Sequence, residues 1–453
     1  MSVLVQQSVK RTLFTMAFPM LAGTFAMNAY NLTDTYFVAR LGTLPLAAMG
    51  FTFPVVMLLT FVAGGIGTGI TTFVAHAIGR HDHADAARLV THGFAFTMTT
   101  SAIISIAGYF TITPVFVRLG ADEATLPLIR AFMHTWYVGS ITMALPMIGN
   151  GILISMGDSR GASRFMIFGT VLNAILNPLL INGWLGLPML GIRGSALATV
   201  IAQTASTLWL FRLLYRKHRL LHFAGWKLAR YLETIRRILR FALPSVLSMM
   251  LMPISATVIT RLLSGFGIEA VAACGAAGRI EMFAFVIPMA LGMSLMPFVS
   301  QNFGAGRLDR IREAKTLAIR FALSYGSIVT VVFFLGARFL AGCFTNDARV
   351  AAILVLYIRT ISFGYGMMEV HRYCGFILTG LHQPVSSTIL NIIRVLVLLI
   401  PLSYLGAHFF GIHGIFLGRL ATDFAVGIIG IVWITRQLKA APALNPSNNP
   451  APT

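Results

Sequence analysis

Residues 46–76 have the sequence LAAMGFTFPVVMLLTFVAGGIGTGITTFVAH, which contains no Asp, Glu, Lys or Arg. A helix needs about 20 mainly apolar residues to cross the hydrocarbon core of a bilayer, so this stretch is long enough to span a membrane. Its AAxG motif at residues 47–50 recurs at residues 272–275, which is a shift of 225 positions. The stretch therefore predicts both a membrane helix and an internal duplication.

The composition of the whole chain also predicts a membrane protein. The 453 residues are 57% hydrophobic and 11% charged, whereas soluble proteins are about 25% charged. A soluble fold of this size would need more polar surface than the chain supplies, so we exclude soluble enzymes, disordered proteins and nucleic-acid binders. The formal net charge of +20 does not indicate nucleic acid, because the 34 basic residues are spread between apolar segments.

Eleven further apolar segments accompany the quoted one, each with ends defined to within a few residues. The twelve predicted spans are roughly 12–38, 46–76, 89–116, 124–154, 162–187, 190–214, 238–264, 270–300, 316–341, 350–379, 384–408 and 412–436. The predicted fold class is thus an all-α polytopic membrane protein with twelve transmembrane helices.

The duplication extends over the whole set of spans. A shift of 225 also places Pro19 on Pro244 and Gly42 on Gly267, and a shift of 220 places Gly191 on Gly411. We therefore predict two homologous six-helix bundles related by a pseudo-two-fold axis along the membrane normal, a common plan of secondary transporters. The predicted domains are an N-terminal lobe (1–215), a basic cytoplasmic linker (216–237), a C-terminal lobe (238–437) and a disordered tail (438–453).

The basic residues predict the orientation of the chain. If the N-terminus is cytoplasmic, 22 Lys and Arg residues lie at cytoplasmic ends and loops, seven lie outside and five remain inside spans. Because cytoplasmic loops carry an excess of Lys and Arg, this bias predicts that both termini face the cytoplasm, in the inner membrane of a bacterium. We expect the lipid bilayer and small molecules as partners, no nucleic acid, and a monomer.

Only 14 residues are acidic, and four of them lie inside predicted spans: Asp34, Glu281, Glu369 and Asp423. Charges at membrane depth are costly and are usually functional. Asp34 is late in the first span and has no Lys or Arg within a helical turn or two on its own helix. Desolvation without a nearby cation favours the neutral acid, which suits proton coupling. The alternatives are a Na⁺ site built from hard oxygen ligands and an acid that simply faces water at the outer end.

Two amides in the fifth span are candidate partners of Asp34. Asn173 and Asn177 are four residues apart and therefore share one helix face. They could face Asp34 or could serve only helix–helix hydrogen bonding. Pro19, early in the first span, is expected to kink or weaken that helix, either as a switch or as a static bend.

The C-terminal half contains the other intramembrane acids. Glu369 and Arg372 are three residues apart and could pair, with Arg394 as a second candidate partner of Glu369, and Asp423 could pair with Arg419. Glu281 needs a partner on another helix. These residues form either structural ion pairs or a substrate or proton site, in which a carboxylate facing a cavity would attract cationic substrates.

Several motifs together resemble the multidrug and toxic compound extrusion (MATE) family over roughly residues 10–437. The similarity lies in Pro19, in residues 31–42 (NLTDTYFVARLG), 172–178 (LNAILNP) and 191–199 (GIRGSALAT), and in residues 301–307 (QNFGAGR). The resemblance implies two six-helix bundles around a cleft that export drugs and organic cations in exchange for H⁺ or Na⁺.

By position, the resemblance assigns Asp34, Asn173 and Asn177 to the coupling-ion site of the N-terminal lobe, and Pro19 to helix bending on protonation. The same three residues would be the metal ligands only if Na⁺ is the coupling ion. The seventh span has no acid, unlike the NorM-type branch, which favours a DinF-like, proton-coupled arrangement. The candidate substrate-cavity residues are Tyr30, Asn31, Tyr137, Glu281, Glu369 and Arg372.

Two other functions remain open at this stage. A lipid-linked oligosaccharide flippase of the same superfamily is the first alternative, although such proteins often have fourteen spans and cation-rich cavities. A membrane-embedded enzyme is the second, and its best candidates are His76, His81, His83 and His92 near Asp82 and Asp85. Because no nucleotide, zinc or nucleophile motif occurs, and Cys274, Cys343 and Cys374 lack metal-ligand spacing, we expect no enzyme activity and no cofactor.

Overall fold

The computed structural model describes residues 3–222 and 227–440. Within these ranges the chain consists of helices joined by short turns, without a β-strand. The helices are α1 (Val3–Gln6), α2 (Val9–Ala39), α3 (Thr43–Gly79), α4 (His83–Arg118), α5 (Leu126–Ser155), α6 (Ser159–Asn182), α7 (Ile192–Arg216), α8 (Leu228–Ser264), α9 (Ile268–Gly304), α10 (Leu308–Phe344), α11 (Ala348–Ile361), α12 (Tyr365–Gly380), α13 (Pro384–Ile392) and α14 (Ile400–Ala440). Two 3₁₀ turns (Trp184–Gly186 and Ser362–Gly364) and one π-helix (Ile393–Leu399) complete the described chain.

The helices confirm the all-α membrane fold. Ten helical stretches in the described chain are long and apolar enough to cross a membrane. Helix α2 is not one of these ten, because polar residues such as Asn28, Asn31 and Asp34 lower its mean hydropathy. The last stretch, Pro384–Ala440, is 57 residues long and contains the eleventh and twelfth predicted spans.

A glycine divides that last stretch into two antiparallel arms. Gly411 has φ 60° and ψ −140°, a conformation that side chains with a Cβ rarely adopt. Beyond it the chain folds back, so that Gly406 approaches Gly414 and Gly418 approaches Leu402. The division of this stretch, together with α2, gives twelve spans, six in each half of the chain.

The repeat seen in the sequence is also present in the backbone conformation. Gly191, the counterpart of Gly411, has φ 55° and ψ −134°. Gly42 and Gly267, which precede α3 and α9, have φ 117° and ψ 178°, and φ 108° and ψ 164°. Repeat-related glycines therefore hold the same special conformations at the same turns of both halves.

Three loop acids start helices by capping them. Asp82 accepts a hydrogen bond from the Asp85 backbone N–H at the start of α4, and Asp158 accepts one from Gly161 at the start of α6. Asp347 does the same for Arg349 and Val350 of α11. A side-chain acceptor at this position satisfies backbone donors that have no partner within the helix.

Residues 15–222 and 227–246 form one compact unit. Its core is built around α5, which packs against α3, α4 and α7. Small residues allow the close approach, since Gly139 and Gly149 of α5 lie directly against Val200 and Leu210 of α7. An apolar cluster that includes Phe116 and Met133 fills the space between these helices.

Residues 3–14 and 247–440 form the other compact unit. The N-terminal segment belongs to this unit because Arg310 of α10 holds it. The Arg310 guanidinium donates to the carbonyls of Leu4, at 3.1 Å, and Gln7, at 2.6 Å, and also to Asn302 Oδ1, at 2.8 Å. A second apolar cluster, which includes Ile280, Leu354 and Phe416, forms its core.

The start of α8 is longer than the predicted span. It begins at Leu228, inside the predicted 216–237 linker, although the apolar run starts only at 238. Leu, Ala, Arg and Glu are good helix formers, so this basic stretch is helical although it is not apolar. At the other end α14 extends to Ala440, and residues 441–453 of the predicted tail lie outside the described residues. The domain boundaries proposed from the sequence stay a prediction.

Candidate functional site

Asp34 lies at the meeting point of three helices in the compact unit formed by residues 15–222 and 227–246. Its Oδ1 accepts hydrogen bonds from Asn177 Nδ2, at 2.7 Å, and from Asn173 Nδ2, at 3.2 Å. Its Oδ2 accepts one from Thr199 Oγ1, at 3.2 Å. Helices α2, α6 and α7 thus each contribute to one polar site, and the sequence-predicted trio of Asp34, Asn173 and Asn177 lies together.

The two amides are held in place by each other. Asn173 and Asn177 are both fully buried, and Asn177 Nδ2 also contacts the backbone oxygen and Oδ1 of Asn173, each at 3.1 Å. Pro178 follows directly and has no backbone N–H, so the carbonyl one turn earlier lacks its usual donor. The Asn177 amide bonds the Asn173 carbonyl of its own helix and at the same time donates to Asp34.

No cation balances Asp34 within the described ranges: no Lys, Arg or His there lies within 4.0 Å of its carboxylate. An ionised carboxylate in a membrane helix is costly unless a cation or water compensates it. In the described chain, three uncharged hydrogen-bond donors are the only groups that stabilise this carboxylate. Such a site can exchange a proton or bind a small cation.

Two further polar atoms at this site have no hydrogen-bond partner in the described structure. They are the hydroxyl oxygen of Tyr30 and Oδ1 of Asn177, and both are buried. Tyr30 is one turn before Asp34 on α2, beside Thr199 and Asn173. Because buried polar atoms are nearly always satisfied, these two oxygens are available acceptors for a proton donor, a cation or water.

The remaining N-terminal candidates occupy different environments. Asn31 is exposed and donates to the carbonyl of Met27 on its own helix, at 3.4 Å, so it does not contact Asp34. Tyr137 is 5% exposed and packs on Gly108 in the apolar core. This core position differs from the predicted cavity position, because an aromatic ring at helical spacing packs equally well inside a bundle.

Pro19 lies inside α2, fifteen residues before Asp34. Between the two, α2 is attached to α6, because Thr170 Oγ1 donates to the Ala26 carbonyl, at 3.0 Å, and Gly23 packs against Met166. The proline removes one backbone hydrogen bond of α2. Helix α2 is therefore weakened at Pro19, at one end of the segment that leads to Asp34.

In the other unit, Glu281 of α9 has its partner on another helix, as expected. Arg419 of α14 contacts Glu281 Oε1 at 2.7 Å, and the Tyr357 hydroxyl donates to the same oxygen at 2.9 Å. Arg419 also hydrogen-bonds with Tyr357. The carboxylate is thus neutralised within a buried network.

Asp423 is the second carboxylate of this network. Arg394 contacts its Oδ1 at 3.3 Å, whereas Arg419, the partner expected from the i, i+4 spacing, lies 3.9 Å from Oδ2. Arg394 lies in the π-helix Ile393–Leu399. A π-helical turn shifts the side-chain register and is frequent at functional sites. Neither the π-helix nor this pairing was evident from sequence spacing.

Glu369 pairs with Arg372, at 3.1 Å, and not with Arg394. In all three ion pairs the arginine side chain is more exposed than its acid: 25% against 1% for Arg372–Glu369, 18% against 0% for Arg394–Asp423, and 21% against 14% for Arg419–Glu281. The expectation of a carboxylate facing a cavity is therefore not met at Glu369. Its acid is buried behind its arginine, and the accessible group is cationic.

The histidine-rich turn before α4 lines a separate cavity of about 580 Å³. It contains Asp82, His83, Asp85 and His92 but not His76 or His81. Asp82 caps α4, Asp85 pairs with Arg88 at 2.5 Å, and His92 Nδ1 contacts Thr234 Oγ1 at 3.1 Å. No group of three or more potential metal ligands occurs in the described chain, and these contacts are structural ones.

The protein-family comparison agrees with the duplicated fold. The MatE family model matches the chain twice, at residues 19–179 and 244–405. The two matches begin 225 residues apart (244 − 19), which is the shift found in the sequence. The chain belongs to the MatE family of transporters. The resemblance to MATE proteins is therefore confirmed.

Named relatives of this MATE protein include transporters of two kinds. The FAD transporter of Shewanella oneidensis is 34% identical over 94% of both chains. The multidrug export protein MepA of Staphylococcus saprophyticus is 23% identical over 95% of both chains. A crystal structure of the Vibrio cholerae MATE transporter VcmN in the bent form has a TM-score of 0.90 and 27% identity, covering 95% of this chain and 97% of its own.

Residue by residue, the sequence located the N-terminal site except for Thr199. That residue ends the 191–199 motif, so it was part of the family resemblance, but a single threonine in an apolar helix gives no independent signal. In this MATE protein its hydroxyl supplies the donor to Asp34 Oδ2.

Proposed function

We propose that this MATE protein is a secondary active exporter in which Asp34 binds the coupling ion, with H⁺ favoured over Na⁺. The observation that carries the proposal is the uncompensated carboxylate of Asp34, held by three neutral donors from two other helices. The multidrug export and FAD transport named for the relatives support the export of small organic molecules.

In the proton-coupled scheme, Asp34 accepts a proton from the outer side. The carboxylic acid then needs an acceptor for its O–H, and the unpartnered Oδ1 of Asn177 is suitable. The rotation of this amide breaks the 2.7 Å hydrogen bond from Asn177, the shorter of the two that join α6 to Asp34. Helix α2 is then free to bend near Pro19. This bending changes the side of the membrane from which the substrate site is accessible, as alternating access requires.

Na⁺ coupling would use the same site. The Asp34 carboxylate, Oδ1 of Asn177 and the hydroxyl oxygens of Thr199 and Tyr30 are hard oxygen ligands of the type that Na⁺ accepts. The bound Na⁺ would then balance the charge of the carboxylate, in place of the three uncharged hydrogen-bond donors. The scheme therefore keeps one site and differs only in the ion that occupies it.

The substrate has two candidates. The sequence favoured organic, often cationic drugs, as exported by multidrug relatives. The alternative is an anionic flavin dinucleotide, favoured by the 34% identical FAD transporter. The flippase alternative receives no support from the relatives named above. We keep the bacterial inner membrane, cytoplasmic termini and a monomer as part of the proposal, on the basis of the charge bias.

The test is efflux from proteoliposomes under an imposed pH gradient or an imposed Na⁺ gradient. The wild type should export under ΔpH, and Asp34→Asn should lose this export while inserting normally. Glu123→Gln is the matched control, because Glu123 is an exposed loop acid. Driven export by Asp34→Asn at the wild-type rate would refute the proposal, and export driven only by Na⁺ would reassign the ion.

A further inference from the structure

The charged residues at membrane depth differ in sign between the two halves of the chain. All five basic residues left inside spans lie in the C-terminal half: Arg279, Arg359, Arg372, Arg394 and Arg419. The same half has three intramembrane acids, whereas the N-terminal half has only Asp34. After the three ion pairs are formed, two arginines have no acidic partner in the described chain. One of them, Arg359, lies over the Phe334 ring and donates to the Phe334 carbonyl.

Arg279 is the other arginine without an acidic partner. It is the twelfth residue of the 37-residue helix α9, it is exposed, and the described chain offers it neither an ion pair nor a hydrogen bond. An arginine inside a membrane helix almost always faces a water-filled space or a partner and not lipid. Its guanidinium is therefore available to an anion.

A second accessible guanidinium comes from another helix and lies against α9, further along its axis. Arg372 of α12 reaches over the ring of Phe285, at 5.1 Å, and its Nη1 lies 3.9 Å from Met289 Sδ. Phe285 is six residues after Arg279, about 9 Å along the helix axis. Stacking on an aromatic ring fixes the plane of the guanidinium, and Glu369 is buried behind it. The two guanidinium groups thus offer contacts at two separate positions along α9.

We infer that Arg279 and Arg372 bind the phosphate groups of an anionic organic substrate, and that this substrate is a pyrophosphate-linked dinucleotide of the flavin type. This inference rests on the proposed export function, because it names the substrate of that exporter. Arginine binds phosphate oxygens through paired N–H donors. Phe285 and Met289 supply the apolar surface that a flat ring system requires. An organic cation would meet like charge at both positions.

The experiment measures equilibrium binding to the purified full-length protein in detergent. The ligands are FAD, FMN and riboflavin, which differ in phosphate content, and ethidium as an organic cation. The wild type should bind FAD most tightly, then FMN, and riboflavin at least about tenfold more weakly than FAD, as the loss of a charge-assisted contact predicts. Arg279→Gln should weaken FAD binding by about tenfold and leave riboflavin binding unchanged.

The controls separate charge from folding. Arg279→Lys keeps the charge and should restore part of the affinity for FAD. Arg338→Gln removes an exposed arginine of α10 and should bind FAD as the wild type does. Because Arg372→Gln alone would leave Glu369 buried and unpaired, the Glu369→Gln Arg372→Gln double variant is used, and it should weaken FAD binding about tenfold.

Equal affinities for FAD and riboflavin, tighter binding of ethidium than of FAD, or an unchanged affinity in Arg279→Gln would each overturn the inference. These readouts do not depend on ion coupling. If Asp34→Asn fails to abolish driven export while FAD binding follows the predicted order, only the coupling proposal is lost. If the coupling test succeeds and FAD binding does not depend on phosphate, only this inference is lost.

Discussion

Asp34 is stabilised by donors of unequal strength. Asn177 Nδ2 lies 2.7 Å from the carboxylate, whereas Asn173 Nδ2 and Thr199 Oγ1 lie at 3.2 Å. Short hydrogen bonds to a charged group are the strong ones. The geometry therefore assigns to Asn177 the main role in holding the ionised form of Asp34.

Asn177→Ala should slow proton-driven transport more than Thr199→Val does. Loss of a hydrogen bond to a charged group costs about 1.5–3 kcal/mol, which corresponds to roughly 10–100-fold in rate, and the longer bond from Thr199 should lie at the lower end of that range. Initial rates in proteoliposomes at equal protein density measure both. A larger loss in Thr199→Val would contradict this assignment.

Spacing and amide chemistry pointed to Asp34 and to two of the three residues that donate hydrogen bonds to it. An acid inside an apolar helix, and two amides one turn apart, are conspicuous in a sequence with few polar residues. Thr199 was not assigned a role, because a hydroxyl can satisfy its own helix backbone and gives no pattern. In the C-terminal unit the sequence proposed the Glu369–Arg372 pair, but neither the Arg394–Asp423 pair nor the partner of Glu281, and not which member of each pair is exposed, since both depend on tertiary packing.

At the level of helices, the sequence predicted twelve spans but not all of their ends. Gly411 appeared only as part of a repeat motif, although its positive φ creates the turn between the last two spans. The π-helix around Arg394 could not be predicted, because no particular residue type marks a π-helix in a sequence. Helical propensity extended α8 into a basic stretch that hydropathy alone assigns to a loop.

Gly411→Ala should destabilise the protein by about 1–3 kcal/mol, the usual cost of a sparsely populated backbone conformation. Thermal unfolding in detergent measures the effect as a lower Tm. Gly336→Ala is the matched control, because Gly336 is helical and has open space where a Cβ would lie. Equal unfolding temperatures for the two variants would show that the turn does not require glycine.

The start of α6 gives a pH-dependent contribution to stability. A hydrogen bond from His218, at 3.1 Å, and the Lys217 ammonium, at 2.5 Å, lower the pKa of the Asp158 carboxyl. A lowered pKa contributes stability that is present above the unfolded value of about 3.9 and is lost as pH falls through the folded value.

Asp158→Asn, which can still cap α6, should therefore unfold at a lower temperature than the wild type at pH 7. The difference should become smaller as pH falls below about 4, because the unfolded chain gains the proton first, and it should vanish only at the lower pH at which the folded carboxyl gains its proton. Thermal unfolding at both pH values measures this dependence, with Glu123→Gln as the control. A difference that stays constant or grows at low pH would contradict the role of the ion pairs.

On the scale of the whole molecule, one duplicated fold carries two different sets of charges. Repeat-related glycines keep the same backbone conformations, and the family model matches both halves. The N-terminal half retains a single intramembrane acid, while the C-terminal half has arginines paired with more deeply buried acids. The duplication was predictable from sequence because turns constrain residue types. Which member of each ion pair is exposed, the arginine or the acid, was not predictable.

The central claim is that Asp34 exchanges the coupling proton for substrate. The direct measurement follows lumenal pH with a trapped fluorescent dye when substrate is added to proteoliposomes without an imposed gradient. In the wild type, protons should move in the direction opposite to the substrate and only when substrate is added. Asp34→Asn should bind substrate without moving protons. Substrate-driven proton movement of wild-type size in Asp34→Asn would contradict the account.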